Sequence, residues 1–135
     1  SKVLLKLPYG DLFSQSHIKT NTIFIAGGTG ITPFLSLFTH ESFNEYINPK
    51  IYLGFRSKEF NIYDTELNRS KNSSKFVKSF YENSDGLIDI ELIYKENGPK
   101  SDYFISGPPT MIKVFKNTLI RKGVATQKIL TDDWE

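Results

Sequence analysis

The chain has 135 residues, of which 39% are hydrophobic and 14% aromatic, and a formal net charge of +2. That length favours one domain with a real core, and so mild a charge, with lysines spread along the chain, argues against a nucleic-acid binder. The absence of cysteine excludes a disulfide framework and a thiolate metal site, and no apolar run reaches transmembrane length.

The chain opens at Ser1, not at a methionine, inside a strand-like pattern, Lys2 to Leu7. It therefore reads as a piece of a longer protein. No signal peptide is visible, and the expected location is cytoplasmic. Pro8-Tyr9-Gly10-Asp11 supplies turn chemistry, with Phe13 just beyond. Ser14 to Thr20 is a polar connector, and its His17 reads as a surface residue. Thr22 to Ala26 is β-branched and aromatic, short enough for a buried strand. Gly27, Gly28 and Gly30 follow, with Thr29, Ile31, Thr32 and Pro33. Glycines without Cβ atoms let a ligand approach the backbone, and Pro33 suits the first turn of a helix. The free N–H groups and positive dipole end of that helix suit a pyrophosphate.

That helix is expected to run to about His40 or Glu41. Asn48-Pro49 breaks the chain, and Lys50 to Phe55 is the second strand, with Arg56, Ser57, Lys58 and Glu59 at its end. Ile62 to Leu67 starts another helix. Lys75 to Tyr81 alternates polar and apolar and reads as a strand. After the turn at Asn83 to Gly86, the stretch Leu87 to Tyr94 reads as strand or helix. Asn97-Gly98-Pro99 is a breaker, and Asp102 to Ser106 is the fourth strand. Gly107-Pro108-Pro109 leads into a helix whose Met111, Phe115 and Leu119 recur every four residues, with Gly123 as its cap. Gln127 to Thr131 is a fifth strand, and Asp132 to Glu135 a tail.

Strands alternating with helices predict an α/β, Rossmann-like three-layer sandwich around a five-stranded parallel sheet. The right-handed crossover rule gives the order 3-2-1-4-5. Ligands of such sheets bind beyond the carboxyl ends of the strands, at the switch point. There Gly27 to Thr32, Arg56 to Lys58 and Ser106 to Pro109 are expected to meet.

The heptapeptide Gly27-Gly28-Thr29-Gly30-Ile31-Thr32-Pro33 resembles the pyridine-nucleotide loop of the ferredoxin–NADP reductase-like flavoproteins. The segment Ser106-Gly107-Pro108-Pro109-Thr110-Met111 is similar to that family's Cys-Gly-Pro-x-x-Met segment, with serine in place of cysteine. Pro8, Gly10 and Phe13 loosely match the turn that closes the family's flavin barrel, with Leu7 where a glycine would stand. The resemblance implies that residues 1–20 end a preceding flavin-binding barrel and connector, and that 21–135 form an NAD(P)-binding domain. It also implies a short helix near Leu87 to Tyr94.

By the same resemblance, Gly28 to Thr32 would hold the pyrophosphate, with Gly27 heading this cofactor-binding loop and Thr32 near the nicotinamide. Gly107 and Pro108 would shape the nicotinamide slot, Met111 would add to the cofactor-binding segment, and Ser106, with Thr32 the catalytic candidate, would lie beside the carbon that gives up hydride. FAD or FMN would be held mainly by the barrel domain of the same chain, with an electron acceptor beyond it and no metal in this part. Trp134 would cover the flavin or pack on the last helix. Arg56 and Lys58 favour a 2′-phosphate, whereas Glu59 favours a free ribose hydroxyl. NADP-dependent members often carry Ser-Arg after the third strand, where this chain has Ser79-Phe80. NADH and NADPH therefore both stay open. The implied function is hydride transfer from NAD(P)H to flavin. The rivals are a nucleotide-sensing module without redox activity and a different Rossmann-like enzyme using the loop for another phosphate ligand.

Overall fold

Five six-residue or shorter segments rich in β-branched and aromatic side chains pair into one parallel sheet. A computed structural model describes residues 20–27, 34, 41–61 and 74–133. The expected strand at Lys2, the barrel turn at Pro8, His17, the loop Gly28 to Pro33, His40, the helix at Ile62 and Trp134 lie outside the described residues.

The strands are β1 (Thr22–Gly27), β2 (Lys50–Phe55), β3 (Phe76–Tyr81), β4 (Asp102–Gly107) and β5 (Ile129–Asp133). Their order is β3-β2-β1-β4-β5, as expected from the crossover rule. Every residue of β1 and β4 is buried, which explains why their middles, Ile23 to Ala26 and Tyr103 to Ile105, are continuously apolar instead of alternating. Successive side chains point to opposite faces. Phe24, Leu53, Phe55 and Phe104 form one core with Phe34, Phe43 and Tyr46. Ile25, Tyr52, Tyr103 and Ile105 form the other, against Ile93, Ile112, Phe115 and Leu119. Phe24 stacks on Phe104 at 5.4 Å between centroids and meets Phe34 and Tyr46 edge-on. Each such pair adds about 0.5–1.5 kcal/mol beyond area burial.

The stretch left open as strand or helix ends in a helix, α1 (Ile90–Asn97), which begins later than expected. Asp89 stays extended and its carboxylate accepts the Leu92 N–H at 3.1 Å, so the helix cannot start before Ile90. The second described helix, α2 (Pro109–Arg121), has Pro108 as its N-cap and Pro109 as its first residue. Pro108 holds ψ at 145°, outside the helical region. The helix ends where Gly123, at φ +108°, lets its N–H reach Ile120 O.

The fifth strand differs from expectation at both ends. Thr126–Lys128 is a 3₁₀ turn, closed by the Lys128 N–H on Ala125 O. Pairing starts at Ile129 with Tyr103 and continues to Asp133 beside Gly107, so Asp132 and Asp133 of the expected tail belong to the sheet. Among the described residues, no helix is long and apolar enough to cross a membrane.

Candidate functional site

β1 lies between β2 and β4, so the strand order reverses there, and the crevice of such sheets opens beyond the carboxyl ends of β1 and β4. Three glycines occupy this rim. Gly27 pairs with Gly54, and a Cβ added to Gly107 would stand 3.4 Å from Gly27 O. Alternation turns all three toward the α2 face. Met111 lies over Gly27 and Gly107: its Sδ and Cε are 2.7 Å from where their Cβ atoms would stand. Ile88 lies equally close over Gly54. The two side chains rest on bare backbone, which any larger residue at the rim would lift.

Beside them is a cavity of about 520 Å³, bounded in part by Gly27, Met111, Leu87, Val114, Arg56 and Glu82. That volume falls in the range of small-ligand sites. Leu87 is 72% exposed and Val114 57%, so the cavity has an unusually bare apolar lip. Arg56 and Glu82 sit side by side just past β2 and β3. The ladder continues beyond the strands there, with the Glu82 N–H on Phe55 O at 2.9 Å and the Asn83 N–H on Arg56 O at 3.2 Å.

Ser106 lies on the other face. Its neighbours in the ladder are Ala26 and Asp132, and it is completely buried. Among the described residues, its hydroxyl is the buried side-chain oxygen or nitrogen that lacks a hydrogen-bond partner. Burying a hydroxyl unpaired costs about 1–3 kcal/mol, so a polar ligand atom would be well received there.

Of the residues singled out from sequence, Gly27, Arg56, Pro108 and Met111 line the cavity, with Gly107 against Met111. Ser57 and Lys58 do not line it. The Ser57 hydroxyl donates to Glu59 Oε1 at 2.7 Å, which ties both ends of this short turn to each other. Gly28, Thr29, Gly30, Ile31, Thr32 and Trp134 lie outside the described residues. Gly54, Glu82, Leu87, Ile88 and Val114 were not expected at the site. For Glu82 the signal was its place one residue past a strand of known register.

An apolar seat with two opposite charges on its rim suits a heterocyclic base with its sugar. A buried free hydroxyl across the strand edge suits a second polar group of the same ligand. Such a crevice, in a doubly wound parallel sheet, defines a nucleotide-binding α/β domain. Residues 24–117 match the model of the oxidoreductase NAD-binding domain, and the chain belongs to that family.

A flavohemoprotein of Xylella fastidiosa is 27% identical over 135 residues, covering 90% of this chain and 34% of the relative. The apicoplast ferredoxin–NADP reductase of Plasmodium falciparum is 29% identical over 92 residues, covering 64% of this chain and 24% of the relative. The chain thus spans about a third of the first of these curated relatives and about a quarter of the second. Among solved structures, a ferredoxin NADP+ reductase from Neisseria gonorrhoeae with bound FAD and NADP superposes with a TM-score of 0.74. The match has 18% identity and covers 95% of this chain and 60% of that one. The flavohemoglobin of Malassezia yamatoensis gives 0.71 at 20% identity, over 92% of this chain and 34% of that one. These likenesses show the same fold.

Proposed function

We propose that this chain is the pyridine-nucleotide half of a flavin-dependent electron-transfer oxidoreductase. In this reading Gly28 to Thr32 hold the pyrophosphate at the end of β1, and the adenosine half lies in the cavity beside Met111. The nicotinamide end lies across the β1–β4 edge, near Thr32, Ser106 and Gly107. When bound, the nicotinamide supplies a hydride to a flavin, FAD or FMN, held by a barrel domain of the same protein. An electron acceptor takes the electrons onward, and the protein works in the cytoplasm. Relatives whose names include ferredoxin reductase and flavohemoprotein support this reading. Trp134 is the candidate to cover the flavin.

The observation that carries the proposal is the buried, unpartnered Ser106 hydroxyl at the switch point. A fold alone gains nothing from it, because alanine would remove the cost without leaving a partner stranded. A ligand carboxamide would satisfy it. Ser106 then holds the reacting ring in place more than it binds the whole cofactor, and such a contact shows in the rate instead of in affinity.

In the full-length protein, Ser106→Ala should slow flavin reduction about tenfold in stopped flow, a loss of about 1.4 kcal/mol. The nucleotide Kd should change little, and Ser106→Cys should keep the rate. Without nucleotide, Ser106→Ala should melt at the same or a higher temperature. Unchanged flavin reduction together with tenfold weaker nucleotide binding would reverse the assigned role.

A further inference from the structure

The rim of the cavity answers a question that the glycine loop does not. Arg56 and Glu82 are the charged residues among those that line it, one of each sign. They are neighbours across the ends of β2 and β3, on the face that carries Tyr52 and Phe80. Neither forms an ion pair with another described residue. The nearby Lys78 ammonium lies over the Phe80 ring at 5.4 Å from its centroid and does not line the cavity. Lys58 and Glu59 belong to the adjoining turn, outside the cavity.

We infer that Glu82 selects an adenosine ribose with free hydroxyls, so that the chain uses NADH in preference to NADPH. This rests on the dinucleotide reading above. The apolar lip of Leu87 and Val114 offers a place for the purine, which leaves the ribose facing the charged rim. A carboxylate only accepts hydrogen bonds, and a ribose diol donates them. A 2′-phosphate brings between one and two further negative charges at neutral pH. One arginine would have to balance that charge with a carboxylate at its side. A phosphate site built for affinity carries a surplus of arginine, whereas here the rim is neutral. Arg56 is then left to steer the pyrophosphate.

The test is calorimetric titration of the full-length protein with NAD+, NADP+, 5′-AMP and 2′,5′-ADP. The wild type should bind NAD+ at least tenfold more tightly than NADP+, and 5′-AMP more tightly than 2′,5′-ADP. Glu82→Gln, nearly isosteric and on an exposed position, should narrow that ratio several-fold by improving NADP+ binding. Glu82→Arg should invert it. Equal binding of NAD+ and NADP+ by the wild type, or an unchanged ratio in Glu82→Gln, overturns the role of Glu82 and leaves the dinucleotide reading standing. Failure of all four probes to bind overturns both.

Discussion

Gly54 and Gly27 pair across the rim yet should respond differently to a methyl group. An alanine at Gly54 would meet Ile88 Cγ1 and Cδ1 at 2.7 Å. Isoleucine is stiff at χ1 and Ile88 is buried in the core on that face of the sheet, so overpacking should cost about 1–3 kcal/mol. An alanine at Gly27 would meet the thioether end of Met111, which adapts more readily. Urea midpoints should therefore fall clearly for Gly54→Ala and by less than half as much for Gly27→Ala. Little of this contrast was legible in the sequence. Gly27 stood out because it opens a glycine cluster, whereas Gly54 lies unmarked inside the run read as the second strand. Its role comes from Ile88, which is remote in sequence and lies in a segment whose apolar residues fit two periods. Glu82 was hidden for a similar reason: only its pairing beside Arg56 places it on the rim.

At the scale of elements, short helices depend on their ends, and α1 has only eight residues. Asp89 satisfies one of its free N–H groups. Asp89→Ala should lower stability by about 0.5–2 kcal/mol, seen as a lower denaturation midpoint at unchanged m-value. Asp89→Asn should recover most of the loss. β1 and β2 were readable because burial on both faces leaves apolar runs, whereas β3, largely exposed, showed itself by alternation. Their ends were less so. α1 begins where a side chain caps it, and β5 begins where Tyr103 offers a partner, and neither event is written in local composition.

For the molecule as a whole, three tyrosines anchor the end of the sheet opposite the rim or the core beside it. Tyr52 donates to Glu96 Oε1 at 2.7 Å and accepts from Asn97, and Tyr103 donates to Gly98 O. Burial pushes the Tyr52 phenol up from 10.0 to about 12; the Asn97 hydrogen bond pulls it down and Glu96 pushes it further up. Burial likewise raises Tyr46 and Tyr103. A raised phenol favours the folded state fully below pH 10, and that contribution is lost as pH climbs from 10 through 12. Denaturation midpoints should hold up to about pH 10 and then drop, together with the rise of tyrosinate absorbance. The sheet order was legible at this scale because handedness leaves few topologies open. The face of Ser106 followed only from register. That same register carries a kinetic consequence. Thr22 to Ala26 pair with Asp102 to Ser106, and all strand pairings described are parallel, so none of them closes through a local hairpin. Pairing across such long intervals is slow. During synthesis β1 and β2 must wait with a bare apolar edge until the chain has emerged past Gly107, and a nascent chain halted before Asp102 should be cut by dilute protease wherever the finished one resists.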